Sequence, residues 1–241
     1  MFVHFRKRAL VLTAAALAVA GIAVPAAITS APARAATPSC GPTCVEPFSH
    51  EWGRRLIMDA IGNGFGVQHQ RLILFRASHD DGAQDFQPTF QGPVSSLVGS
   101  GLLAPTTLIH YAADPAFEIE YSPFGVDSGL CVGTWPQTPN AFGRQPQVPS
   151  GWKLRLEPCG EGSNTIWIVD HFGTDGNDPG FGTVISGTTT NFSHPPVWTY
   201  PALATPFDFP RPSVIVSSQR TFSSGQHPDS QQWGARVGVI P

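Results

Sequence analysis

The sequence predicts an all-β protein built from one unit repeated three times, and two observations carry that expectation. First, 24 prolines and 25 glycines are spread through the chain, which leaves little room for long helices and favours short strands joined by turns. Second, the same features recur in the same order. An aromatic–serine pair comes first, as Phe48-Ser49, Tyr121-Ser122 and Phe192-Ser193, and runs through a turn into a short apolar strand. A second strand follows: RLILF (71–75), KLRLEPC (153–159) and SVIVSS (213–218). Its period of two marks a strand with one face buried. A polar run then ends in an aromatic: DGAQDF (81–86), EGSNTIW (161–167) and HPDSQQW (227–233). Apolar and aromatic residues are frequent along the whole chain, which argues against disorder.

The chain opens on a segment of another kind. Arg6, Lys7 and Arg8 precede an alanine-rich apolar run from Ala9 to about Ile28, and Ala33-Arg34-Ala35 supplies a small-x-small cleavage site. Residues 1–35 are therefore expected to be a secretory signal peptide, cut after Ala35. The run is long enough to serve as a membrane anchor, but Pro25 and the cleavage site count against that reading. No twin arginine is present, so the general secretory route is expected, and Cys40 lacks the lead-in of a lipoprotein signal. Nothing downstream resembles a second membrane span. Removing Arg6, Lys7, Arg8 and Arg34 leaves 10 basic residues against 17 acidic ones, a formal charge of −7 on 36–241. That charge argues against nucleic acid and anionic membrane surfaces as partners, since both require a basic footprint.

Four cysteines, all beyond the leader, suggest two disulfides formed in an oxidising compartment. Three pairings are possible and the sequence alone does not choose among them. Cys40 and Cys44 sit in a CGPTC turn within 36–45 and suit a local bond, which leaves Cys131 with Cys159. Closing that loop stabilises the fold by roughly 3–4 kcal/mol if the bond is unstrained. A zinc site is the alternative use, but the spacing offers no second close pair.

The first repeat, about 46–118, departs from the others in its tail. There PVSSLVGSGLLAPTTLIHYAADPAF (93–117) has the composition of an insertion with a helical turn or two. The second repeat, about 119–189, carries DSGLCVGTW and KLRLEPCGEGSNTIW, and the third, about 190–241, carries Gln231-Gln232-Trp233. These stretches resemble the ricin-type β-trefoil, whose repeats bear a Gln-x-Trp signature and often an internal disulfide. The likeness extends over nearly all of 46–241 and is also shared with secreted trefoil-like proteins of high-GC Gram-positive bacteria. Gln84-Asp85-Phe86 and Thr165-Ile166-Trp167 are worn forms of the signature. The resemblance implies that Cys131 and Cys159 staple one subdomain. It also implies that Phe86, Trp167 and Trp233 meet near a pseudo-threefold axis, where their work is burial.

In that family a sugar is held by an aspartate, an aromatic and polar groups before the signature aromatic. A carboxylate accepts sugar hydroxyls while a ring covers the apolar face of the pyranose. Carried over by position, the first repeat offers Asp59, Phe75 and Gln84, with Ala83 where the family has an asparagine. The second repeat has Gly133 and Glu157 at the aspartate and aromatic positions, and the third has Thr199 and Ser217. By this template those two sites are lost. The implied function is a secreted, monomeric, lectin-like carbohydrate-binding module with at most one, partly degenerate, sugar site and a glycan as partner. The alternative is a trefoil scaffold whose loops, notably 93–117 and YPALATPFDFPRP (200–212), contact another protein. Each candidate also has a plainer role. Asp59 precedes Gly-Asn-Gly and suits a turn, Phe75 suits the core, and Gln84 suits the pairing of buried backbone groups.

Catalytic and metal chemistry find no support, and no cofactor is expected. His79-Asp80-Asp81 are too close in sequence to converge on one ion. Asp175-Gly176-Asn177-Asp178 lacks the ligand register of a calcium loop. His50-Glu51 lacks the second histidine of a zinc protease, and His50 and His194 share an FSH setting that fits a structural role. No Gly-x-Ser-x-Gly elbow occurs. A glycan hydrolase would need two carboxylates facing one bond, which no local motif supplies. Asn191-Phe192-Ser193 is formally a glycosylation sequon.

Overall fold

The computed structural model describes residues 44–62, 66–78, 82–134, 150–160, 162–170, 180–190, 192–201 and 211–237, all within one compact unit, Thr37–Pro241. The leader, Cys40, the 79–81 and 175–178 runs, Asn191 and most of 200–212 lie outside the described residues.

Among the described residues, twelve strands fall into three quartets. The first is β1 (Val45–Ser49), β2 (Leu56–Ala60), β3 (Leu72–Arg76) and β4 (Phe86–Pro93). The second is β5 (Pro115–Tyr121), β6 (Leu130–Thr134), β7 (Leu154–Pro158) and β8 (Ile166–Val169). The third is β9 (Val184–Ser186), β10 (Pro196–Thr199), β11 (Ile215–Ser218) and β12 (Trp233–Val237). The outer strands of each quartet pair antiparallel in the sequence β12-β1-β4-β5-β8-β9. A bridge between Gly182 and Trp233 joins the approach to β9 with β12 and closes this ring into a barrel, which removes the free sheet edges.

The inner strands form three hairpins, β2–β3, β6–β7 and β10–β11, which cap the barrel. Each hairpin is tied to both others by one bridge: Arg71 to Arg155, Ile73 to Ser213 and Lys153 to Ile215. The architecture is a β-trefoil.

Alternation in the second strand of each hairpin makes the cap. Leu72, Leu154 and Val214 form one layer and Leu74, Leu156 and Val216 the next, all with no solvent exposure. Opposite the second layer stand Met58, Val132 and Trp198. Below them Phe86, Trp167 and Trp233 occupy matching places, paired across the barrel with Tyr121, Ser186 and Ser49. Trp167 donates its indole N–H to the Val132 carbonyl at 2.8 Å, and Trp233 donates to the Trp198 carbonyl at 3.1 Å. Phe86 has no N–H and drops this bond. Apart from Ser49 and Ser186, these residues belong to one apolar cluster.

The expected insertion is helical. α1 (Val94–Gly99) follows β4 directly, and α2 (Leu108–Tyr111) lies between α1 and the next strand. Val94, Leu97 and Leu103 pack on Ala116, Ile166, Ile168, Ile185 and Val197 in a second apolar cluster. Ile166 and Ile168 alternate with the core-facing Trp167, so the insertion covers the outside of the barrel at β5, β8 and β9.

One sequence feature lands elsewhere than expected. The register opposite the signature aromatics makes Ser49, Tyr121 and Ser186 equivalent. Tyr121-Ser122 is therefore offset by one residue from Phe48-Ser49, and Phe192-Ser193 lies in the β9–β10 connection and does not close β9. β9 is only three residues long, and its connection happens to supply an aromatic–serine pair at nearly the same interval. His50 and His194 are consequently not equivalent either.

Cys131 and Cys159 form a disulfide with a Cα–Cα separation of 5.0 Å. Cys44 is also disulfide-bonded, and its partner lies outside the described residues.

Candidate functional site

The β2–β3 hairpin puts Ile57, Asp59, Ile73 and Phe75 on the face opposite its core residues. Asp59 pairs with Ile73 and Ile57 with Phe75, so the carboxylate and the Phe75 ring are diagonal neighbours. Gln84 joins them by donating from Nε2 to Asp59 Oδ2 at 3.2 Å and to the Arg76 carbonyl at 2.8 Å. Its Oε1 accepts the Ser78 N–H at 2.8 Å. The three residues are thus together, but the group is closed. Asp59 is 6% exposed and Gln84 is 1% exposed, while the Arg211 guanidinium lies 5.1 Å from the centroid of the half-buried Phe75 ring. The face on which a pyranose would stack already carries a cation.

The glutamine's role repeats. Gln231 donates to the Ser218 carbonyl at 3.0 Å and accepts the Arg220 N–H at 2.8 Å, as Gln84 does with Arg76 and Ser78. In the second repeat Thr165 stands in this place, and the missing acceptor comes from another strand. Glu118 Oε1 accepts the Gly160 N–H at 2.8 Å and the Thr165 hydroxyl at 2.5 Å. The signature position fastens the end of a hairpin to the following strand.

At the second repeat, Glu157 is 1% exposed and sits 3.0 Å from His69 Nδ1. A Cβ added at Gly133 would lie 3.1 Å from Glu157 Cγ, so the aspartate position holds no side chain and has little space for one. His69 reaches Glu157 from the β2–β3 loop with a positive φ of 66°, tying the first repeat to the second hairpin.

The third repeat differs from both. A cavity of about 360 Å³ opens beside the β10–β11 hairpin. Thr199 and Ser217, at the aspartate and aromatic positions, line it together with Gln231, and the Ser217 hydroxyl lies 3.2 Å from that of Ser150. The carboxylate that the template lacks here is supplied by Glu51, from the β1–β2 turn of the first repeat. The buried Tyr200 phenol donates to Glu51 Oε2 at 2.8 Å and receives the Ser49 hydroxyl. Burial pushes the Tyr200 phenol well above the ordinary tyrosine range, and Glu51 adds to the rise while the Ser49 hydrogen bond opposes it. The phenol stays protonated and anchors the carboxylate. Arg220 and Ser230 add a guanidinium and a further hydroxyl, and Ile215, Pro201 and Pro228 give the wall apolar surface.

Sequence reasoning missed Glu51 because it lies in another repeat from Thr199 and only barrel closure brings the two together. His50, beside it, is 3.3 Å from Asp229 and packs against Phe181 at 4.1 Å between ring centroids, which fits its structural reading. Among the described residues no group of three or more histidine, cysteine, aspartate or glutamate side chains is placed to hold a metal ion.

Comparison with known proteins supports the architecture. No family model matches the sequence, and no curated protein matches it. Among solved structures, the designed threefold-symmetric protein ThreeFoil superposes with a TM-score of 0.51 at 13% identity, over 82% of this chain and 99% of that one. A mosquitocidal holotoxin matches with a TM-score of 0.50 at 10% identity, over 81% of this chain and 17% of the toxin. The exo-β-1,3-galactanase 1,3Gal43A from Clostridium thermocellum matches with a TM-score of 0.50 at 12% identity, over 83% of this chain and 31% of the enzyme. At these identities the likeness is one of fold.

Proposed function

We propose that this protein is an exported carbohydrate-binding β-trefoil of lectin-like character, and that its binding surface is the cavity of the third repeat. The observation that carries the reading is the composition of that cavity. Glu51, anchored by Tyr200, lines the concavity together with Thr199, Ser217, Ser230 and Arg220, beside the apolar Ile215, Pro201 and Pro228. A carboxylate and hydroxyls complement the hydroxyls of a sugar, and apolar walls complement its C–H face. The volume falls within the roughly 300–1,000 Å³ of small-molecule sites. Few contacts are available to offset the ordering of a flexible saccharide, so dissociation constants from about millimolar to high micromolar are expected. The trefoil also occurs within a carbohydrate-acting protein, the galactanase. Export is supported by the leader sequence and the disulfides, and N-terminal sequencing of secreted protein should begin at Ala36.

A second reading places the sugar at Asp59, Phe75 and Gln84, and one observation favours it: the fold gathers all three on one hairpin face. The burial of Asp59 and the Arg211 cover weigh against it. A glycan and polysaccharide screen of the oxidised protein, run with Glu51→Gln and Asp59→Asn, separates the two. Binding weakened at least about ten-fold by Glu51→Gln and untouched by Asp59→Asn places the site in the third repeat. The opposite pattern moves it to the first. No binding to any glycan at millimolar concentration removes the carbohydrate reading and leaves a scaffold that contacts another protein.

A further inference from the structure

Carbohydrate binding in the third-repeat cavity, on which this inference rests, leaves one lining side chain without an assigned task. The backbone of Arg220 is engaged, its N–H by Gln231 and its carbonyl by His227. Its exposed guanidinium has no carboxylate or carbonyl partner among the described residues. The cavity's other charge, Glu51, is anchored by the Tyr200 phenol and is not the partner of Arg220. A neutral sugar could accept hydrogen bonds from the guanidinium but would leave its positive charge unmatched.

We propose that the cavity selects a saccharide bearing a carboxylate, a uronic acid or comparable acid sugar. Arg220 takes the carboxylate, and Glu51, Thr199, Ser217 and Ser230 take ring hydroxyls. Guanidinium and carboxylate match in geometry and can bond through two parallel N–H groups. Glu51 repels a second anion from its own surroundings, so the acid group is accepted only where it meets Arg220, and this fixes the orientation of the sugar. The acidic excess of the whole protein disfavours dense polyanions. The preferred ligand therefore carries its acid group singly or sparsely.

The test uses trisaccharides of galacturonic, glucuronic and mannuronic acid, each beside its methyl ester, which keeps the ring stereochemistry and removes the charge. The oxidised protein is expected to bind at least one acid about five- to ten-fold more tightly than its ester. That advantage should shrink as salt rises from about 50 to about 500 mM. Arg220→Gln, whose folding circular dichroism checks, should erase the difference, and Arg220→Lys should keep part of it. Acid and ester bound alike, a preference that survives Arg220→Gln, or neutral glycans bound while every acid is refused would each overturn the inference and leave the carbohydrate reading standing. Refusal of every saccharide, charged or neutral, overturns both.

Discussion

Gln84 holds three polar atoms in place with one side chain: the Asp59 carboxylate, the Arg76 carbonyl and the Ser78 N–H. Truncating it leaves these groups to find other partners in a region with little water. Gln84→Ala is expected to destabilise the protein by about 1–3 kcal/mol, read as a lower urea midpoint at unchanged slope. At this scale the sequence was partly legible. The repeat pattern placed Gln84 and Gln231 at equivalent positions, and their role as pairing groups for backbone follows from the chemistry of a buried amide. Glu118 was not legible as their substitute. It acts on Thr165 from 47 residues away in sequence, and no local pattern encodes a hydrogen bond between strands so far apart. Glu51 was hidden for the same reason, and the closed state of the Asp59 group depends on Arg211, which belongs to the third repeat.

The β6–β7 hairpin carries a covalent tie. Cys131 and Cys159 are 28 residues apart, and the bond restricts that loop in the unfolded chain. Replacing both with serine is expected to cost about 3 kcal/mol, measured by denaturant unfolding of the oxidised wild type and the double variant. A much smaller loss would mean that the reduced hairpin is already held by its strand pairing and by the layer of Leu154 and Leu156. Elements were the most legible scale, because period-two alternation reports directly which face of a strand is buried. The three hairpin strands stand where their apolar alternation put them. The aromatic–serine pairs were less trustworthy, since burial can be met by an aromatic in a connection as readily as in a strand. Phe192 illustrates this, stacking on His110 of α2 at 4.7 Å between ring centroids.

Tyr200 acts on the whole molecule, because its hydrogen bonds join the end of β10 to Ser49 and Glu51 near the start of the described chain. Its folded-state ionisation is raised above the ordinary value of 10.0. The folded protein therefore holds the phenolic proton more tightly than the unfolded chain does. The resulting stability is complete below about pH 10 and is lost as pH rises from there toward the folded-state value. Tyr111 is shifted the same way, first by burial and then by Asp170 and Asp114. Urea midpoints at about pH 8 and about pH 11 should fall steeply for the wild type and less steeply for Tyr200→Phe. Equal slopes would show that Tyr200 ionises freely in the folded protein.

The pairing of Val45 with Val237 sets a condition on how the molecule can be made. The strand that begins the ring needs, as one of its neighbours, the strand that ends it, so the ring cannot close until everything from β1 to β12 is available. A topology dominated by such distant contacts folds late and slowly. The barrel stays open until β12 has reached and paired with β1.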